Sequence, residues 1–311
     1  MGNFDRRSFL KLGSVSGLGL LPSYGAVRGL WTHGPATAVI HIYLEGGLSH
    51  LDSFDPKPDA DSRIRGPFRT ISTSVPGLRI CEHLPRMAQR ADRYTVIRSM
   101  THGAAAHSAA QTLLLSGREV KPGVVHPTLG EVIANQPGQR GAAEPYVVLS
   151  GTRRLDLSGE PDAVVERYGR TALGERCLMA RRLVESGARF VTVSRERNAW
   201  DHHSDIFRLL ANEYLPELDR AFSALLDDLD VRGLLETTIV LVSGEFGRTP
   251  EINEKAGRDH WPHCFSAMVA GGGFEGGAVW GESDRDGMYV KDRPVELGEF
   301  VAMLRGKMGV A

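Results

Sequence analysis

Short apolar runs, rich in β-branched residues, recur along the chain and alternate with longer segments in which leucines return every three or four positions. TAVIHIYLEGG (37–47), YTVIRSM (94–100), PYVVLSG (145–151), RFVTVSR (189–195) and TTIVLVS (237–243) predict five strands. The first and last are apolar without a polar face, as in a parallel sheet covered on both sides. Between them, AAQTLLLSG predicts a helix closed by Gly117, and residues 163–186 predict a helix broken at Gly169. In residues 206–229, Leu209, Leu210, Leu218, Phe222, Leu225, Leu226 and Leu229 share one helical face. Pro216 is expected to kink that helix and Gly233 to stop it. Strands alternating with helices predict an α/β fold with a mostly parallel central sheet and helices on both faces. No internal repeat or low-complexity linker appears, so one domain is expected over residues 27–311.

The composition of the 311 residues, 41% hydrophobic and 24% charged, is that of a globular protein with one substantial core. A formal net charge of −1, with no lysine and arginine block interleaved with aromatics, argues against nucleic acid as a partner. The amino terminus changes the picture more. DRRSFLKLGSVSGLGLLPSYGA has paired arginines, a short apolar stretch and a small-residue end near Ala26, too short and glycine-rich to span a bilayer stably. Arg6, Arg7, Phe9, Leu10 and Lys11 stand where a twin-arginine signal has them. Residues 1–26 are therefore expected to be a signal peptide read by the Tat export machinery, with a periplasmic or secreted product and no membrane span after its removal. Cys81, Cys177 and Cys264 are far apart and odd in number, which implies buried small hydrophobes rather than a disulfide framework.

Chemistry gathers where strands end. Asp52 and Asp55 follow the first strand, Asp201, His202, His203 and Asp205 the fourth, and Glu245 the fifth, with Asp259, His260 and His263 on the next loop. Parallel strands put their carboxyl ends on one edge, so groups distant in sequence converge there. Asp201, His203, Glu245, Asp259 and His260 are expected to do so, joined by Asp52 or Asp55. Carboxylates held close repel, and a divalent cation relieves them. Imidazole with carboxylate suits zinc, manganese or iron, and an all-oxygen subset suits calcium or magnesium. Taken singly, each histidine could equally be a cap or a hydrogen-bonded surface group. Arg248 either offers a fork to an oxyanion or pairs with Glu251 or Glu254.

GGLSHLDSFDPKPD, IRGPF, SVPGLRICEHLPRMAQRADRYTVIRSMTH, HSAAQTLLLSGR, CLMARRLVESGARFVTV, AWDHHSD, GEFGRTPEIN and GRDHWPHCFSAMVAGGGFEGGAVWGESD together resemble the bacterial DUF1501 family, secreted relatives of the alkaline phosphatase and sulfatase superfamily. The resemblance covers nearly all of the chain after the signal and implies an alkaline-phosphatase-like fold. Superfamily members open a helix with a Ser, Thr or formylglycine nucleophile and close it with a Leu-Thr-Gly-Arg-like turn. HSAAQTLLLSGR has that outline, with His107 at the nucleophile's position and Ser108 beside it. The superfamily's late Asp-His or Asp-Asn pair corresponds to Glu245 and Phe246, and its later metal-binding histidine to His260. Its Asp-x-x-x-His pair most resembles Asp201 with either His203 or Asp205. Against the family, the chain looks shortened around residues 151–155 and at its KMGVA end.

These readings give a catalytic set of His107, Ser108 and Arg248, and a metal set of Asp52, Asp201, His203, Glu245, Asp259 and His260. The ion is zinc, manganese or calcium. A helix amino terminus disfavours a protonated imidazole, so His107 is expected to be neutral. Two functions follow: a hydrolase of sulfate or phosphate esters using Ser108, His107 or water as nucleophile, or a non-catalytic, metal-stabilised protein that binds an anionic glycan or a protein partner.

Overall fold

The computed structural model describes residues 36–136, 141–151 and 155–310. The signal segment expected over residues 1–26 lies outside them, as does most of the expected shortening at 151–155. Among the described residues, eight strands form the central sheet: β1 (Ala38–Tyr43), β2 (Tyr94–Thr101), β3 (Tyr146–Leu149), β4 (Phe190–Val193), β5 (Thr238–Ser243), β6 (Phe265–Ala270), β7 (Val279–Trp280) and β8 (Val295–Glu296). Their order is β7-β2-β6-β5-β1-β4-β3, with β8 also on β2. Strands β3, β4, β1 and β5 run parallel. Only β6 is antiparallel, to β5 on one side and β2 on the other, so the expected mostly parallel α/β sheet is the observed one.

The pleat explains why these strands lack a polar face. Ile40 and Ile42, with Val191, Val193, Val240 and Val242, pack in one core that includes helices α2 (Ala172–Glu185) and α3 (Leu215–Val231). Val39 and Tyr43, with Leu241, lie in the other core, under helices α1 (His107–Ser116) and α4 (Leu297–Lys307). Each such side chain contributes about 1.5–3 kcal/mol on burial. Cys81, Cys177 and Cys264 are free and buried as expected, and burial pushes the Cys81 and Cys264 thiols up to about 12. No helix among the described residues is long and apolar enough to cross a membrane.

Two helical expectations are refined. The segment 163–186 is two helices, Asp162–Tyr168 and α2, separated at Gly169, whose φ of 93° an L side chain rarely adopts. In place of a kink at Pro216, a π-helical turn over Leu210–Tyr214 joins Ile206–Leu209 to α3, and Pro216 falls in the first turn of α3. The wider turn accommodates a residue that lacks the N–H donor.

His41 sits in the middle of β1, 2% exposed, with Nε2 2.9 Å from Ser243 Oγ. Burial lowers its pKa to about 3. A folded pKa below the unfolded one contributes stability that is complete above the unfolded value, near 6.5, and lost as pH falls toward the folded one. Stability is therefore expected to fall by about 3 kcal/mol between neutrality and roughly pH 4 from this group. Urea unfolding across that range should show a shallower acid loss in His41→Gln, and equal slopes for both proteins would refute the assignment.

Candidate metal centre at the carboxyl edge of the sheet

The loops leaving β1, β4 and β5 meet at one edge, and β2 delivers the segment that starts α1 to the same place. Gly46, after β1, has φ 111°, and a Cβ there would lie 2.5 Å from the backbone nitrogen of Asp201. Only glycine lets the two loops close that tightly. His107 occupies the first turn of α1, with no side-chain cap from Ala106.

Three imidazoles point at Asp201. His107 Nε2 is 3.1 Å from Asp201 Oδ2, His260 Nε2 is 3.1 Å from Oδ1, and His203 Nε2 is 3.0 Å from Oδ1. Each ring is held from behind by an acceptor. His107 Nδ1 donates to Glu245 Oε1 at 2.7 Å, His260 Nδ1 to the Ala105 carbonyl at 3.0 Å, and His203 Nδ1 to Asp259 Oδ1 at 2.6 Å. Oxygens of this kind only accept, so with one proton per ring each Nδ1 carries it and each Nε2 is a bare lone pair. The Nε2 atoms of His203 and His260 are 3.0 Å apart, and both face a carboxylate oxygen. Acceptors facing acceptors are relieved by a further proton on a ring or by a metal cation between them. The donor atoms of His107, Asp201 and His260 lie within 4.8 Å of one another, with His203 joining on the Asp259 side. Mixed imidazole and carboxylate donors, each ring oriented by an acceptor behind it, fit a transition-metal ion better than calcium.

Electrostatics sort these groups. Burial opposes ionisation of Asp201, but the hydrogen bond and charge of Arg248, with His260 and His203, outweigh it and hold the carboxyl well below the usual range. Burial lowers the pKa of His260, and the charge of Arg248 acts with it against the pull of Asp201. His107 is pulled the other way from His260. Its hydrogen bond to Glu245, helped by Asp201, raises its pKa against burial. Two full carboxylate charges in contact outweigh the roughly half charge of a helix terminus, so the net pull on the ring is toward its charged form.

Glu245 is fully buried and stands one step behind the ring cluster. It accepts from Tyr43 Oη at 3.1 Å and from the Gly46 N–H at 3.0 and 3.1 Å, besides His107. Asp259 plays the same backing part for His203, which holds its carboxyl low. The two thus orient imidazoles rather than face the cluster centre. Arg248 requires a correction. It is wholly buried, donating to the carbonyls of Gly47 and Arg258 at 3.0 and 3.1 Å, to Gly46, and to Asp201 Oδ1 at 2.5 Å. Every guanidinium nitrogen is engaged, so it neither presents a fork to an incoming oxyanion nor pairs with Glu251 or Glu254. Instead it fixes Asp201.

Asp52 is likewise placed elsewhere. Both its oxygens are taken by Arg258, at 2.7 and 3.0 Å, and both side chains are fully buried. Asp55 faces Lys57, Arg98 and Ser283. The loop after β1 bends too soon for either to reach the imidazoles, and Glu45 comes nearer, its Oε1 3.4 Å from Gln111 Nε2. Asp205 pairs with Arg208, which leaves His203 as the partner of Asp201. Ser108 is exposed in the first turn of α1, and its hydroxyl has no hydrogen bond to the cluster among the described residues. Sequence reading passed over Tyr43, Glu45 and Gln111. Gln111 follows His107 by four positions, one turn along the same helical face, and that spacing was the available signal.

A mostly parallel α/β sheet with chemistry gathered at its carboxyl edge defines the class by its fold, which is shared with the solved structures of Ps i-CgsB and BT33494S-sulf. Ps i-CgsB, solved in complex with k-i-k-neocarrahexaose, has a TM-score of 0.51 at 10% identity over 89% of this chain and 73% of its own. BT33494S-sulf of Bacteroides thetaiotaomicron, from a core genetic locus for the metabolism of multiple glycosaminoglycans, has 0.50 at 10% identity over 89% and 73%. Alkaline phosphatase from the Antarctic bacterium TAB5 has 0.49 at 11% identity over 91% and 99%. No curated protein matches the sequence. Within this class the chain belongs to the family described as Protein of unknown function (DUF1501), which it matches over residues 36–155 and 149–311.

Proposed function

We propose that the protein is an exported, metal-dependent hydrolase of sulfate or phosphate esters. The observation that carries this reading is the convergence of three imidazole Nε2 atoms on Asp201, each ring locked from behind by an acceptor. His107, Asp201 and His260 would hold the ion, with His203 beside them. Zinc or manganese suits these donors. When bound, such an ion polarises an ester oxygen and lowers the pKa of water toward neutrality.

The chain's own residues supply positioning. Glu245, the Ala105 carbonyl and Asp259 fix the rings, and Arg248 fixes Asp201 while offsetting its charge. His107 commits both nitrogens to Glu245 and Asp201, which suits a fixed ligand better than a group that accepts a phosphoryl or sulfuryl moiety. Water is therefore the nucleophile assigned here, with Ser108 as the serine alternative. A second reading, a metal-stabilised binder of an anionic glycan, draws on the same replacement of the nucleophile by His107. Export rests on the paired Arg6 and Arg7 and the short apolar stretch after them.

Protein recovered from the periplasmic fraction of producing cells is expected to carry zinc or manganese by elemental analysis. It should hydrolyse an aryl sulfate or aryl phosphate, lose that activity to a chelator and regain it with metal. His107→Ala should lose metal and turnover together, whereas Ser108→Ala should keep both. Metal without turnover on any ester would select the binding reading, and absence of metal would defeat both.

A further inference from the structure

The loop that carries His260 runs on into aromatic residues that the imidazole cluster does not use. Trp261 and His263 meet edge to face with ring centroids 4.9 Å apart, and Tyr289 lies 5.7 Å from Trp261 and 5.9 Å from His263. His263 is exposed, and Tyr289 is 51% exposed. We propose that Trp261, His263 and Tyr289 form a carbohydrate-stacking subsite beside the metal centre, so that the ester processed there is borne by a glycan. The word ester rests on the function proposed above; the subsite itself does not.

Three features point to a sugar. The rings are held rigidly although they face solvent. Trp261 Nε1 donates to the Met288 carbonyl at 2.5 Å, and His50 Nε2 donates to Gly287 at 2.7 Å. The Asp284 carboxylate accepts from the backbone N–H groups of Asp286, Met288 and Tyr289 at 3.2, 2.8 and 3.1 Å. On the other side, the Thr101 hydroxyl donates to the His263 carbonyl at 3.1 Å and the His102 N–H to Pro262 at 3.0 Å. A surface built in advance lowers the ordering cost of binding.

Chemistry is the second feature. A pyranose offers a flat patch of C–H groups rimmed by hydroxyls. Aromatic faces take the first, while the Tyr289 hydroxyl and the His263 ring lie at the edge for the second. Position is the third. Trp261 adjoins His260, and His263 is three residues on, so the patch begins within about 11 Å of the cluster along the chain.

The test uses the whole mature protein and calorimetric binding of sulfated galactan, fucan and glycosaminoglycan hexasaccharides, each with its desulfated form. At least one sulfated oligosaccharide is expected to bind. Tyr289→Ala should weaken that binding by up to about tenfold, Tyr289→Phe, which keeps the ring and loses only the edge hydroxyl, should weaken it distinctly less, and hydrolysis of a small aryl sulfate should not change, since stacking is worth about 0.5–1.5 kcal/mol. The subsite is overturned if Tyr289→Ala binds as well as the parent, or if the parent binds none of the oligosaccharides and instead takes up an apolar peptide at these rings. Calorimetry needs no turnover, so loss of the hydrolase reading and loss of the subsite give different results.

Discussion

Asp201→Asn should leave the folded protein with almost no affinity for a divalent transition metal. All three imidazole Nε2 atoms face this one carboxylate, so it supplies the only negative charge at the centre of the cluster among the described residues. Removing a backing partner of a ligand typically weakens metal binding about 10- to 100-fold, and removal of the shared charged ligand should exceed that. Competition against a chromophoric chelator measures the loss. Asp205→Asn, whose carboxylate pairs with Arg208 at 2.5 Å instead, is the control that should bind as the parent does. Glu245→Gln should fall between them, because it disturbs the ring of His107 without removing a donor from the centre. If Asp201→Asn keeps the parent's affinity, the imidazoles form a hydrogen-bonded cluster and not a metal site.

Asp52→Ala should be among the most destabilising single changes in the chain and should leave metal binding untouched. Asp52 and Arg258 are both fully buried, and the guanidinium also ties the Ile64, Thr249 and Pro250 carbonyls. Taking away the carboxylate leaves a charged group buried without its counter-ion, a loss of about 3–5 kcal/mol. Urea unfolding gives that number, and elemental analysis of the same preparation gives the metal content. Replacing both partners by apolar residues of similar volume should recover much of the stability, since a buried pair gains little over good packing. A stable variant that had lost its metal would instead return Asp52 to the ligand set.

Asp52 and Asp201 show where sequence reading reached its limit. Both are aspartates beyond a strand's carboxyl end, which makes both candidate ligands, and the resemblance to the superfamily's Asp-x-x-x-His pair adds to the case for Asp201 alone. The polarity of a parallel sheet brings the loops to one edge, where Asp201, His203, Glu245, Asp259 and His260 lie in one hydrogen-bonded cluster with His107. It says nothing about which way a loop turns after its glycines. The choice was made by Arg258 and Arg248, ten residues apart, each closing on a different aspartate. Arg248 itself was read as an anion fork because nothing local reveals that backbone carbonyls of Gly46, Gly47 and Arg258 surround it.

The sequence by itself determined strands β1 to β5, the helix from His107 to Gly117, the break at Gly169 and the class of fold, because burial on two faces and helical periodicity are local consequences of residue order. The tertiary structure decided the antiparallel strand β6 and the short strands β7 and β8, the packing of α4 on α1, and the division between residues that face the cluster centre and those that stand behind them. These depend on distances of about 3 Å between segments up to two hundred residues apart, Tyr43 with Glu245 and Gly47 with Arg248 among them. A hydrogen bond at that range is set by how loops pack after the sheet has formed, and no local pattern encodes it.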